Sequence, residues 1–456
     1  MAIKNYDLVI IGGGAAGLVA SVAAGAFGAR TALVEIEERL GGECSWTGCV
    51  PSKALIAAAS LAYRSGYKPD NVMEQVRQTV QEASKNSKAK KLLEKYKVDL
   101  YFGPSQFKDN YTLETPDVIL KAKKFILCTG SSALRPDLPG LTEGYLSNKE
   151  LWELPSPPAS LLVIGGGPIG TELAQAFHRL GSKVTLVHSR DRLLPRDDVE
   201  LARELTELLK LEGLEVRLNF RANKVKKTGE GWQLDDGERK LFGKELLISL
   251  GRQANTKGLK LEAAGVEYDR SQIKVNRHLR STAQNIWAAG DCTGGLQFSH
   301  IAEIEAKIAV RNALFPLNSR PRYQGAPWTT FTDPEMAHLG LTEEECREKN
   351  LNYRTYYQPF SGDDRAIADN TKQGRVKIIA SPYGKLWGVH ILGPRAGELI
   401  NEFVLARRKG LRIHDIGLTA HVYPTLGLAL QRATDNWFAE WAAKPWARFL
   451  VRALRR

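Results

Sequence analysis

An α/β chain carrying two copies of one strand–turn–helix–strand unit is what three observations in the sequence predict. The segments "LVIIGGGAAGLVASVAAGAFGARTALVE" from Leu8 and "LLVIGGGPIGTELAQAFHRLGSKVTLVH" from Leu161 follow the same plan. Each opens on a short apolar run, turns through a cluster of glycines, continues with helical periodicity and closes on a second β-rich run, which is the order of a parallel sheet with crossover helices. At 456 residues the chain is long enough for two or three domains that each bury a core, so neither disulfides nor a metal is needed to hold it together.

The first strand begins almost at the N-terminus, in "MAIKNYDLVIIGGGAAG". A basic n-region, an apolar h-region and a cleavage site do not fit before it, so no leader is expected. Five cysteines are too few for a secreted disulfide scaffold, and an odd number cannot pair fully. They point to a reducing compartment, and the expected location is cytoplasmic. No apolar run reaches the roughly 18 to 20 residues of a membrane span. The net charge of +13 would attract phosphates over about a Debye length. The lysine run "KNSKAKKLLEKYK" from Lys85 lacks aromatic interleaving, however; it reads as a solvated helix face, and no nucleic-acid partner is expected.

In the glycine turns the spacing GxGxxG falls at Gly12, Gly14 and Gly17 and again at Gly165, Gly167 and Gly170, with Gly28 and Gly181 ending the two helices in register. The first glycine permits a tight turn, and the second lets a pyrophosphate approach the backbone. The third lets the helix pack on the strand with its N-terminal dipole toward the phosphates. Both units are therefore Rossmann-like, and two dinucleotides are implied. Glu35 closes the first unit, where a carboxylate suits ribose hydroxyls; in register in the second stands His188, followed by Ser189 and Arg190. A carboxylate would repel a 2′-phosphate, whereas Ser, Arg and His can bind one, so NADPH is favoured at the second site, with NADH the alternative. The plainer reading leaves Arg190 and Arg192 as exposed loop cations.

After the first unit comes "GGECSWTGCVPSK" from Gly41 to Lys53, with Cys44 and Cys49 separated by four residues. No third or fourth ligand accompanies them, so no metal site is expected. A structural staple is out of place in a reducing compartment; redox exchange is left, provided the pair lies against a source of electrons. The following "PSKALIAAASLAYR" reads as a helix with Pro51 in its first turn, and a thiolate near such a helix start is favoured by the dipole. Cys128, Cys292 and Cys346 stand alone and read as bystander thiols.

These motifs, with "LCTGS" at Leu127, "IGGGPIGTE" at Ile164, "SLGRQAN" at Ser249, "TAQNIWAAGD" ending at Asp291, "FTDPEMAHLGLTE" at Phe331 and "GPRAGELI" at Gly393, resemble the flavin-dependent pyridine nucleotide-disulfide oxidoreductases over about residues 5 to 430. The likeness is strongest to their mercuric reductase-like and dihydrolipoamide dehydrogenase-like branches. The resemblance implies an FAD domain (1–149, returning at 273–325), an NAD(P)H domain (150–272), an α+β dimerisation domain (326–440) that makes a homodimer, and a C-terminal extension (441–456). It also implies a redox-active Cys44–Cys49 disulfide, with Cys49 the thiol nearest the flavin, forming the charge-transfer thiolate, and Cys44 the interchange thiol that meets substrate. Lys53 would pair with Glu172 near the flavin. Glu35, Gly130 and Asp291 would complete the FAD site, and Gly251 of "SLGRQAN" would also contact a cofactor.

Where disulfide-reducing members carry "HPTxxE", whose His and Glu serve the partner's dithiol, this chain has "HVYPTLGLAL": Tyr423 replaces the His and Leu428 the Glu. A tyrosine titrating near pH ~10 is a poor base at neutrality. His421, two residues back, is a candidate substitute. Tyr423 resembles mercuric reductases, whose soft cation binds thiolates and needs no protonated leaving thiol; the C-terminal cysteine pair that such enzymes usually carry has no counterpart after Cys346. The expected acceptor is a soft metal ion such as Hg(II) or a disulfide, with a quinone at a membrane and a lipoamide-type role as alternatives. The membrane alternative comes from the tail, "WFAEWAAKPWARFLVRALRR". As a helix it would set Trp446, Phe449, Leu450 and Leu454 opposite Arg448, Arg452, Arg455 and Arg456, a pattern suited to an anionic membrane surface or to packing within the dimer.

Overall fold

The computed structural model describes residues 1–67, 69–85 and 87–454, the Leu450 side chain excepted. β1 (Ala2–Ile11), α1 (Ala15–Ala26) and β2 (Thr31–Glu35) form the first unit. Leu8, Ile10 and Leu33 pack toward α1, while Val9, Ile11 and Val34 enter a second core on the opposite face. A parallel sheet covered on both faces needs apolar residues at consecutive positions, which is why β1 and β2 read as unbroken runs. Short α2 (Gly42–Trp46) and longer α3 (Cys49–Ser65), α4 (Val72–Lys85) and α5 (Ala89–Lys95) follow. Pro51 lies in the first turn of α3, as expected, and the lysines from Lys85 to Lys97 are all exposed. Strands β3 (Asp99–Phe102), β4 (Gln106–Asp109), β5 (Thr112–Glu114) and β6 (Val118–Leu127) complete a sheet in the order β3-β2-β1-β6-β5-β4.

After β7 (Ser131–Ala133), the second unit repeats the first: β8 (Ser160–Ile164), α6 (Pro168–Arg179), β9 (Lys183–Val187), α7 (Val199–Leu211) and β10 (Glu215–Arg217). An antiparallel trio, β11 (Lys224–Thr228), β12 (Gly231–Asp235) and β13 (Lys240–Gly243), precedes β14 (Glu245–Ile248), and the parallel order is β10-β9-β8-β14. In both sheets the chain departs to one side of the first strand and later returns on its other side, so each glycine turn lies at a topological switch point, where crevices open in such sheets. β15 (Arg252–Ala254) then pairs with β7, and β16 (Ile286–Ala288) pairs with β6, bringing the chain back to the first sheet. α8 (Ser299–Leu314) lies along α1; buried Ala20, Ala24, Ala306, Ala309 and Ala313 let the two helices approach closely.

The last part is an antiparallel sheet in the order β17-β18-β21-β20-β19, made of β17 (Pro327–Thr330), β18 (Glu335–Gly340), β19 (Arg354–Pro359), β20 (Arg375–Ala380) and β21 (Leu386–Gly393). Two short helices interrupt it: α9 (Glu343–Glu348), begun by a Thr342/Glu345 capping box, and α10 (Asp364–Ala368). α11 (Ala396–Lys409), α12 (Ile413–Gly417) and α13 (Gly427–Ala442) share a core with this sheet. The fold is thus α/β with two dinucleotide-type units and a C-terminal α+β domain, as the sequence predicts. Lys377 of β20, 1% exposed, sits among the carboxylates of Asp198, Glu200 and Glu343 at 3.0, 3.0 and 2.5 Å. Trp328 Nε1 of β17 donates to Asp197 Oδ1 at 2.9 Å.

α14 (Pro445–Leu454) is helical, as the tail's pattern suggests. Ala447 is buried and Trp446 meets Trp441 edge-on, while Phe449 and Leu454 are exposed on this chain. Arg448 and Arg452 are exposed as well. The Leu450 side chain, Arg455 and Arg456 lie outside the described residues. Among the described residues no helix is long and apolar enough to cross a membrane.

Candidate active site

The two glycine turns are built alike, to the level of single atoms. Gly12 has φ +104° and Gly165 φ +119°. A Cβ on Gly12 would come 2.3 Å from the Cys128 carbonyl oxygen at the end of β6; one on Gly165 would come equally close to that of Ser249 after β14. On Gly17 it would strike the Gly12 carbonyl, and on Gly170 the Gly165 carbonyl. Gly14 and Gly167 are the N-caps of α1 and α6; neither helix has a side-chain cap or an acid in its first turn, so their leading N–H groups face the crevice.

The residues ending the second strands also match. Glu35 Oε2 accepts from Gly13 N and its Oε1 from Glu37 N; His188 Nδ1 accepts from Gly166 N at 3.1 Å. Burial, reinforced by the nearby Arg190 cation, pushes the His188 pKa below its ordinary value. The imidazole is thus neutral, with its proton on Nε2, which is buried and has no hydrogen-bond partner. Ser189 and Arg190 are exposed. Arg192 turns away to Glu344 at 3.1 Å.

Cys44 lies in α2, and Cys49 is the first residue of α3. Ser299, the first residue of α8, donates its hydroxyl to Cys44 Sγ at 3.2 Å and lies 3.8 Å from Cys49 Sγ. Both cysteines are free thiols in the structure. A hydrogen bond from Cys49 lowers the Cys44 thiol to about 6 against the opposing effect of burial, with help from Ser299 and the Lys53 charge. Cys49, as the donor of that hydrogen bond, is pushed well up, further raised by burial and by the charge a second thiolate would add. The pair shares one proton and titrates as a unit. The dipole would favour a thiolate at the helix start, where Cys49 stands; the thiol lowered here is Cys44 instead, because Cys49 is held protonated as the hydrogen-bond donor.

Lys53, one turn beyond Cys49 on α3, forms a 2.8 Å ion pair with Glu172 of α6 and lies 4.3 Å from the Phe331 ring centroid. Glu172, 5% exposed, also accepts from Phe331 N at 2.8 Å. Asp291 accepts from Ser131 Oγ at 2.8 Å and approaches Arg252 Nε at 3.6 Å; Arg252 reaches on to Glu43, the neighbour of Cys44. Glu43 Oε1 and Thr47 Oγ1 are buried without hydrogen-bond partners. Gly130 (φ +68°) and Gly251 (φ +109°) flank the β7–β15 pair, their carbonyls accepting from Asn255 N and Leu134 N, with open space around each α-carbon. Tyr423 stands apart from these groups: it is exposed beside exposed Val422 and Leu418 and makes no side-chain hydrogen bond among the described residues. His421 has Nδ1 against the Thr419 carbonyl and Nε2 against Glu402 at 3.1 Å.

Residues 6–306 match the family model for pyridine nucleotide-disulphide oxidoreductase, and residues 326–434 that of its dimerisation domain. The chain belongs to this family. It is 34% identical to a mercuric reductase of Bacillus cereus, the match covering 94% of this chain and 71% of the relative. To a dihydrolipoyl dehydrogenase of Bacillus subtilis it is also 34% identical, over 94% and 97%. Among solved structures it is similar to the HOCl-induced flavoprotein disulfide reductase RclA from Escherichia coli, with a TM-score of 0.87 and 28% identity over 94% and 99%. This oxidoreductase is accordingly an FAD-dependent flavoprotein disulfide reductase that uses a nicotinamide nucleotide. Its dimerisation domain supports a homodimer.

Three polar residues at the oxidoreductase's sulfur pair were not assigned from the sequence. Glu43 and Arg252 stood inside quoted motifs, where a charge of each sign could have been matched. Ser299 carries no local signal, because the fold brings it to Cys44 from 255 positions away.

Proposed function

We propose that this oxidoreductase uses NADPH to reduce a soft metal ion such as Hg(II), or a small disulfide, at the Cys44–Cys49 pair. The observation that carries the reading is a readily ionised Cys44 beside Cys49, in a chain with Tyr423 and Leu428 where thiol-protonating relatives place His and Glu. Two adjacent sulfurs form a soft donor set, and a cation ligated by them accepts electrons without a proton reaching a leaving thiol.

In this reading the first cradle, Gly12, Gly14 and Gly17 with Glu35, holds FAD, and Gly130, Gly251 and Asp291 border it. A Cβ would fill the closest approach at Gly12, and Thr47 Oγ1, buried without a hydrogen-bond partner, lies between the two cysteines in sequence, so the residues present fit such a group. FAD, when bound, supplies two-electron transfer between a nicotinamide and a disulfide. Lys53, fixed by Glu172, sets a positive charge next to the sulfurs. Gly165, Gly167 and Gly170 take the pyrophosphate of NADPH, and exposed Ser189 and Arg190 take its 2′-phosphate. His188 offers a neutral Nε2–H donor. Tyr423 of one subunit would serve the partner's pair across the dimer.

NADPH oxidation with Hg(II), glutathione disulfide, lipoamide and a soluble quinone separates the possible acceptors. Cys44→Ser should lower turnover of Hg(II) and disulfides at least about 100-fold, the lower end of what a lost catalytic group removes. Equal turnover in the variant would refute the reading.

A second reading, a peripheral membrane quinone reductase, is favoured by exposed Phe449 and Leu454 beside Arg448 and Arg452 on α14. Flotation with vesicles containing anionic lipid, with and without residues 441–456, tests it; equal flotation of the two forms would remove it.

A further inference from the structure

Two helices begin at the sulfur pair: α3 with Cys49 itself and α8 with Ser299. Ser299 Oγ lies within reach of both sulfurs, 3.2 Å from Cys44 and 3.8 Å from Cys49. A hydroxyl has one rotatable proton and can serve either sulfur in turn without moving its oxygen. The other charged groups around the pair are differently engaged. Lys53 of α3 is bound to Glu172 of α6, and Glu43 of α2 to Arg252; His300, next to Ser299 on α8, turns to the Pro327 carbonyl at 2.9 Å.

We propose that Ser299 is a catalytic residue of the pair, the neutral donor that stabilises whichever sulfur carries the negative charge. The inference rests on Cys44 and Cys49 being the reacting sulfurs. When two electrons from NADPH reduce the Cys44–Cys49 disulfide, the S–S bond breaks and two thiolates form. One takes up a proton from solvent, and the other keeps its charge. The Ser299 O–H donates to that charged sulfur and gives up no proton. The serine thereby supplies part of the stabilisation that an imidazolium gives in relatives with the His–Glu dyad, which is replaced here.

The test uses purified holoenzyme, reduced anaerobically with NADPH, and follows iodoacetamide alkylation of Cys44 by peptide mass against pH in wild type, Ser299→Ala and Ser299→Thr. A hydrogen bond to a charged group accounts for a shift of this order: the Ala variant should have its midpoint raised by about one unit and be alkylated roughly 10-fold more slowly below pH 6. Thr, which keeps the hydroxyl, should stay within about 2-fold of wild type by the same principle. An unchanged midpoint in Ala, or a loss in Thr equal to that in Ala, overturns the proposal. Should Ala fail to fold, Ser299→Cys, with its weaker donor, should give an intermediate midpoint, and a wild-type value there overturns it equally. If NADPH releases no thiols at positions 44 and 49 in wild type, the pair itself is refuted and this role with it; released thiols with an unmoved Ala midpoint refute the serine alone.

Discussion

Glu35 and His188 occupy one geometric place with different chemistry: Glu35 is the last residue of β2 and His188 the first after β9, and each accepts from the backbone N–H of the middle glycine in its turn. The difference lies in what remains for a nucleotide, a carboxylate in the first unit and a neutral imidazole followed by the exposed Arg190 cation in the second. Arg190→Glu should therefore raise KM for NADPH by about 10-fold or more, the cost of replacing a charge-assisted phosphate contact with a repulsion, and leave KM for NADH nearly unchanged. Equal effects on both nucleotides, measured by steady-state kinetics, would assign Arg190 to the loop surface. Gly17 is as intolerant as a residue can be: its missing Cβ would lie 1.7 Å from the Gly12 carbonyl oxygen. Gly17→Ala should yield protein depleted of the 450-nm flavin band or insoluble; a yellow, fully loaded variant would show that α1 can shift.

Among the elements, the most legible from sequence were those whose signal is local. β1–α1–β2 and β8–α6–β9 were readable because apolar runs, glycine spacing and helix-ending glycines all lie within about one βαβ length. Gly28 and Gly181 take positive φ just past α1 and α6, where left-handed helix ends are expected. The sulfur pair was legible as a motif, but its electrostatics were not, since the groups that set it come from α3, α6 and α8, far apart in sequence. Tyr423 could be named by position alone, because it is exposed and its hydroxyl makes no hydrogen bond among the described residues. The α14 pattern gave the helix correctly; what covers its exposed apolar side is a matter for the flotation experiment.

At the scale of the molecule, the second nucleotide unit is fastened to the C-terminal sheet by buried polar contacts. Asp197, 2% exposed, is one of them; burial pushes its carboxyl up to about 7, although the Trp328 hydrogen bond opposes this. A folded pKa above the unfolded value of 3.8 means that the folded state holds the extra proton: the contribution is full below the unfolded pKa and is lost as pH rises toward 7. Asp197→Asn, which keeps an acceptor for Trp328, should therefore gain in Tm relative to wild type as pH goes from 5 to 8. A constant difference across that range would show that the carboxyl titrates normally. Lys377 has a mechanical consequence. With one ammonium held by Asp198 and Glu200 of the nucleotide unit and by Glu343 beside its own sheet, a hinge between these bodies would have to strand buried charge. Separating the nucleotide unit from the C-terminal sheet would therefore break this ammonium's contacts with Asp198 and Glu200, and the two bodies are held against each other at this point.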